Sequence, residues 1–320
     1  MENTQEYKNN IQINHAQDMP GISDLFSETI NTFKGSLKKV ILVFLKYLLV
    51  SLIPVTIITI ITLSLVAYFT NGIGSGSVSY SQLFILIPIV ILIAVFAMLF
   101  YNAYFASTLI AVSKYKENLP TKELFKQGFK YAFPMFTASL LNLMFSSFSF
   151  IVFIIPGVLV SIFFSFYYFE IIFNGKRGIE SLKSSYRIIK NNFWQILLRL
   201  IIITVVVQIP SFIFKSLDKS LLQNQLSVIY ILFIVIYPLL TYLIGLFQLN
   251  YLYVLYQHAR SVTSEDSKVN ITWIWVFMII GIIMSAGGIY LLNKASLSTS
   301  ELKNNINFYQ ESSITEPLSL

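Results

Sequence analysis

The sequence predicts an all-α integral membrane protein with about seven transmembrane helices, and three observations predict it. Of 320 residues, 56% are hydrophobic and only 12% are charged, where soluble domains carry roughly 25% charge. The apolar residues form runs that accommodate seven crossings of a hydrocarbon layer about 30 Å thick. Lys and Arg gather in alternate connections between those runs.

In chain order, residues 1–20 are polar and aperiodic, unlike a signal peptide, and read as a disordered cytoplasmic tail. From Gly21 an amphipathic pattern begins, with Ile22, Leu25, Phe26, Ile30, Phe33 and Leu37 on one face. The first span covers about 40–69, and the uncharged loop 70–82 leads to a second span at about 83–112. A lysine-rich connection follows, carrying an amphipathic piece at 121–133. Two spans then fit between about 134 and 173 as a tight hairpin turning near Pro156-Gly157. As a re-entrant hairpin, that segment would leave five full spans with both ends on the same sides. Spans at about 193–214 and 228–256 complete a six-span domain over 21–262. An additional transmembrane helix at 273–292, with small residues Gly281, Ser285, Gly287 and Gly288 for close packing, leads to a tail, 293–320, expected to be disordered.

Charge sets the orientation. Placing the N-terminus and alternate loops in the cytoplasm puts 16 of the 22 Lys and Arg there and four outside. The remaining two, Lys46 and Arg199, lie inside spans and are expected to snorkel inward. A cell-membrane protein with a cytoplasmic N-terminus and an extracytoplasmic C-terminus follows. The formal charge of +7 then reflects anionic lipid headgroups of the inner leaflet rather than nucleic acid.

The stretch 170–194, EIIFNGKRGIESLKSSYRIIKNNFW, holds the densest positive charge. Ile179, Leu182, Tyr186, Ile189 and Phe193 share one helical face, and Lys183, Arg187 and Lys190 occupy the other, with Lys176 and Arg177 just before. The pattern fits an amphipathic helix at the membrane surface, with Trp194 in the interfacial aromatic belt; the alternative is an ordinary connecting loop. Gly175, Ser181, Ser184 or Ser185, Lys190, Asn192, Phe193 and Trp194 resemble the signature loop of the membrane domain associated with glycerophosphoryl diester phosphodiesterases and of related stand-alone bacterial membrane proteins. Asn174 stands where that pattern often has an acid. The resemblance implies a six-helix membrane domain over 21–262, in a family whose membrane domain has a poorly defined role.

The chain also repeats. With Asp24, Glu123 and Glu180 in register, offsets of +2, +6, +9 and +13 give Phe26, Ile30, Phe33 and Leu37, then Phe125, Phe129, Ala132 and Phe136, then Leu182, Tyr186, Ile189 and Phe193. Three tandem units result, roughly 21–112, 120–173 and 176–256, each an interfacial amphipathic helix followed by a two-span hairpin; chance reuse of apolar patterns is the alternative.

Two groups of residues are candidates for function. Asn102, Glu170 and Asn250 each fall in the inner half of the second helix of their unit, and with Gln248 they would converge on a cytoplasm-facing polar pocket. The structural alternative is an interfacial ion pair of Glu170 with Lys176 and Arg177, and interhelical hydrogen bonds for the amides, Asn142 and Gln208 included. The second group is a lipid or partner surface of Lys126, Lys130, Lys176, Arg177, Lys183, Arg187, Lys190 and Trp194.

Catalysis has little support. His15 and His258 are the only histidines, there is no Cys, and no HExxH, GxSxG, Walker A, GxGxxG or EF-hand pattern occurs. A phosphodiesterase domain would bring clustered His, Asp and Glu. No cofactor or metal is expected. The expectation is a non-catalytic scaffold or regulator acting at the inner leaflet through basic amphipathic helices, with anionic lipids and a membrane or cytoplasmic protein as partners. The alternative is a transporter or permease component using the intramembrane polar residues.

Overall fold

A computed structural model describes residues 19–74, 80–114, 119–221, 228–263 and 269–314, with some side chains inside the helices left out of description. Among the described residues the protein is all-helical: α1 (Ile22–Gly74), α2 (Tyr80–Ser113), α3 (Thr121–Val152), α4 (Ile154–Phe163), α5 (Tyr167–Asn174), α6 (Ile179–Asn191), α7 (Phe193–Leu221), α8 (Val228–Ser261) and α9 (Thr272–Ile314). Six stretches are long and apolar enough to cross a membrane: Pro88–Ser113, Thr121–Val152, Ile154–Asn174, Phe193–Pro210, Ile236–Ser261 and Thr272–Leu292. The protein is a multi-pass membrane protein of all-α fold. The remaining expected span, 40–69, falls in α1, where many side chains from residue 53 onward lie outside the described residues. So do residues 1–18 of the expected N-terminal tail, 75–79 and 222–225 of two expected loops, and 315–320.

Local chemistry explains where the helices start and break. Asp24, Glu123 and Glu180 each sit in the first turn of α1, α3 and α6, where a carboxylate complements the positive end of the helix dipole. Pro120 precedes α3, and its carbonyl accepts from the backbone of Glu123 and Leu124. In α5 the final turn closes at Gly175, whose left-handed backbone (φ 65°) lets its N–H return to the Glu170 carbonyl. Between α3 and α4 the chain turns at Phe153, so Pro156 and Gly157 lie just past the turn, in the first turn of α4. Proline tolerates that place because its missing N–H has no helical partner there. A Cβ on Gly157 would lie 2.4 Å from the Phe150 ring, so only glycine fits.

Two expectations change. The surface helices of the first two repeats are not separate pieces: α1 and α3 run unbroken from surface register into span. α1 alone, at 53 residues, is about 80 Å long, well over twice the hydrocarbon thickness. Only the third repeat breaks, at Asn192 between α6 and α7. The tail expected to be disordered from 293 is helical through Ile314. Residues 293–314 lack Pro and Gly and carry Ala295, Leu297, Glu301, Leu302 and Lys303. Their helix propensity outweighs the polarity that suggested disorder.

The residues group into two bodies, Met1–Leu141 with Phe163–Val269, and Asn142–Ile162 with Asn270–Leu320. In the second body, α9 packs on the end of α3. A Cβ on Gly281 would lie 2.3 Å from the Phe148 carbonyl, and Trp275 meets Phe145 edge to face at 4.9 Å. Gly287 and Gly288 face open space, so of the three glycines only Gly281 makes a close approach, while Ser285 is half-buried.

In the first body, α2, α5 and α8, the second helix of each repeat, pack on one another. Phe105 meets Tyr168 at 4.8 Å, the Tyr104 and Tyr242 hydroxyls are 2.9 Å apart, and Phe169 stacks on Tyr256 at 4.9 Å. Each repeat's first helix then sits on the second helix of the preceding repeat. α3 presses Gly128 against Ala103 and Ser107 of α2, and α6 anchors through Ser185, which donates to the Phe163 carbonyl and accepts from the Phe166 N–H. α1 closes the ring on α8, with Phe26 against Tyr251 at 5.2 Å and Phe33 against Phe247 at 5.8 Å.

The expected stripe is buried in the third repeat at Leu182, Tyr186 and Ile189 and in the second at Ala132, and a further stripe is buried beside it. At +1 and +5 the three repeats bury Leu25 and Thr29, Leu124 and Gly128, Ser181 and Ser185. The expected apolar positions Ile30 and Phe129 are exposed. Small residues admit a neighbouring helix closely, while the bulky apolar ones can face lipid.

Candidate functional site

Glu170 is fully buried and lies four residues before the Asn174–Gly175 turn. That turn carries the chain back over the carboxylate. Lys176 Nζ lies 2.9 Å from Oε2, and Ser184 of α6 donates to the same oxygen. Oε1 accepts from the Tyr256 hydroxyl at 2.8 Å and from Asn174 Nδ2 at 3.0 Å, with Arg260 Nε at 4.0 Å. Asn174 also donates to the Tyr256 hydroxyl. One buried carboxylate therefore ties together α5, the turn after it, α6 and the end of α8. Such a charge is tolerated inside a protein only when paired and hydrogen-bonded.

The two asparagines are held by a neutral version of the same arrangement. Asn102 donates to the Met98 carbonyl at 2.7 Å and Asn250 to the Leu246 carbonyl at 2.7 Å, each one helical turn back. Asn102 Oδ1 accepts from Ser139, whose hydroxyl is also 2.9 Å from that of Tyr167; Asn250 Oδ1 accepts from Ser36 at 3.1 Å. In every case the serine belongs to the next repeat around the ring: Ser139 to Asn102, Ser184 to Glu170, Ser36 to Asn250.

Among the described residues no hydrogen bond joins Asn102, Glu170, Gln248 and Asn250 to one another; Gln248 is half-buried. The polar groups turn toward the next repeat's helix, and aromatic rings fill the space between α2, α5 and α8. Arg177 is exposed and takes no part in the ion pair. Arg260, far along the chain, lies beside Glu170 instead. Asn142 accepts a hydrogen bond from Ser146, and Gln208 is exposed.

The basic face of α6 is where the sequence puts it. Lys183 and Lys190 are exposed and Arg187 is half-buried between them in register, while Leu182, Ile188 and Ile189 on the opposite side are fully buried. That apolar side packs on protein, including Tyr186 against Phe163 at 4.6 Å, rather than being free to sink into lipid. Lys126 and Lys130 are exposed on α3, and Trp194 is 77% exposed at the start of α7. Lys176 belongs to Glu170.

Sequence reasoning missed Ser36, Ser139 and Arg260, and it named Ser184 only as a position of the signature loop, since a serine by itself does not signal its partner. Arg199, expected to snorkel inward, reaches back toward the start of α7 but is buried against protein rather than exposed. Its guanidinium donates to the carbonyls of Gln195 at 2.9 Å and Pro20 at 2.6 Å, fixing the start of α1 against α7. Among the described residues no three His, Cys, Asp or Glu side chains cluster as a metal ion would need.

No curated protein and no solved structure matches the chain. The model of a family described as a domain of unknown function, DUF7847, matches residues 131–259, a stretch that takes in Glu170, the whole of α6 and Asn250.

Proposed function

We propose that this protein is a non-catalytic membrane scaffold or regulator that acts at the anionic inner leaflet of the cell membrane, with its N-terminus in the cytoplasm. The observation that carries this reading is α6, a helix whose inner side is bolted to protein through Ser184 and Ser185 and whose outer side presents Lys183, Arg187 and Lys190. A rigid rib of positive charge attracts anionic headgroups, by roughly 1 kcal/mol per basic residue near the surface. The exposed Trp194 adjoining it suits the headgroup level. Lys126, Lys130 and Arg177 extend the same chemistry, and the rib would equally dock an acidic protein partner. We also propose kinship with the membrane domain associated with glycerophosphoryl diester phosphodiesterases, on the loop residues 175–194. A transporter role is the weaker reading, because three of the four polar residues it would need, Asn102, Glu170 and Asn250, are bonded to three different serines.

The test uses Trp194 as a reporter. With W273F and W275F, Trp194 is the remaining tryptophan of three. In phosphatidylcholine vesicles containing dansyl-headgroup phosphatidylglycerol, energy transfer from Trp194 is expected to fall with salt. It is also expected to fall in the triple variant K183E/R187E/K190E. Transfer unchanged by both sinks the proposal. A loss of function in E170Q or N102L with the rib intact would favour the transporter.

A further inference from the structure

A groove of about 280 Å³ lies between α1 and α2 in the first body, running from Phe44 to Pro54 on one helix and from Tyr104 to Phe96 on the other. Three of its four side-chain hydroxyls are already engaged, and the fourth, that of Tyr101, belongs to an exposed residue at the mouth. The Tyr47 hydroxyl bonds Ser107 at 3.0 Å, that of Tyr104 bonds Tyr242, and Ser51 Oγ bonds the Leu48 carbonyl at 2.8 Å. Water needs two or more polar partners in such a space, so the groove suits an apolar occupant. Its volume sits at the bottom of the range for ligand sites, enough for one slender chain and not for a bulky ring system. Leu48, Phe96 and Tyr101 at its mouth are all exposed, so it opens sideways, toward where lipid lies. Ten residues of helix span about 15 Å, roughly one leaflet of a hydrocarbon layer about 30 Å thick.

A positive charge stands at one end. Lys46, half-buried, holds its ammonium 4.7 Å from the centre of the Phe125 ring, and Phe125 in turn packs on Tyr47 at 4.7 Å. Beyond Glu28, α1 contains no carboxylate, and α2 contains none at all. An apolar slot one leaflet long with an ammonium at its Phe44 end matches an amphiphile with a negative head. We propose that this groove holds one acyl chain of an anionic phospholipid, with Lys46 binding the headgroup. The site shares no residue with the α6 rib and does not depend on it.

The full-length protein is reconstituted into phosphatidylcholine vesicles carrying phosphatidylglycerol with a diazirine in its acyl chain, irradiated, and its adducts located by peptide mass spectrometry. Adducts on 44–54 and 96–104 are expected to exceed those on 198–209 of α7, where Leu198, Ile201, Val205 and Ile209 are equally exposed. A97W, which fills the groove, should abolish that excess, and A97L serves if A97W does not yield folded protein. K46Q should lower labelling by the phosphatidylglycerol probe about fivefold, as loss of one headgroup-facing cation implies, while K46R and K183E/R187E/K190E leave it intact. Equal labelling of α7 and the groove, or an excess that survives both Ala97 variants, means annular lipid only and overturns the site. Equal labelling by phosphatidylcholine and phosphatidylglycerol probes overturns the role of Lys46.

Discussion

Glu170 occupies in the second repeat the place that Asn102 and Asn250 occupy in the first and third. All three accept a hydrogen bond from a serine of the following repeat. Asn102 and Asn250 each need only that serine and a carbonyl one turn back. Glu170 needs Lys176, Tyr256, Asn174 and the nearby Arg260 as well. One change from amide to carboxylate therefore recruits a turn and two helix ends. The Asn250 joint pins two helices, the Asn102 joint reaches a third through Tyr167, and the charged joint pins the region beneath the α6 rib.

The comparison can be broken at graded strength, reading unfolding of the detergent-solubilised protein. K176M should cost most, about 3 kcal/mol, because it leaves the buried carboxylate short of its nearest cation; an unchanged midpoint would show that Arg260 suffices. S184A should cost about 2 kcal/mol, the loss of a hydrogen bond to a charged group. The double variant E170N/K176M, which copies the neutral joint, should cost only about 1 kcal/mol, since replacing both members of a buried pair is far milder than removing one. A double variant as damaging as K176M would mean that the joints are not equivalent. S36A and S139A should each cost about 0.6 kcal/mol, typical of neutral hydrogen bonds between membrane helices.

Six of the seven spans, the hairpin at 134–173 and the register of Asp24, Glu123 and Glu180 were legible because hydropathy and first-turn acids are local signals. The basic side of α6 was legible for the same reason. The packing stripe was legible in the third repeat, but the small-residue stripe beside it was not, because apolarity inside a bilayer does not mark burial: Phe129 is 45% exposed, while Thr29 and Ser185 are fully buried. The partners of Glu170 were half legible. Lys176 is six residues away, but Tyr256 and Arg260 depend on α5 and α8 meeting, and nothing in a single chain encodes that meeting visibly. The burial of Arg199 was not legible because the carbonyl of Pro20 that receives it is 179 residues distant.

The way the ring closes imposes an order of assembly. Glu170 and Ser184 are separated by 14 residues and Asn102 and Ser139 by 37, so both joints can form while synthesis continues. Ser36 waits 214 residues for Asn250, a delay that loop-closure entropy makes the slow step. Until α8 emerges, α1 has no partner for its Thr29–Ser36 side, and a chain stopped short of residue 228 would present that groove-ready polar strip to the insertion machinery.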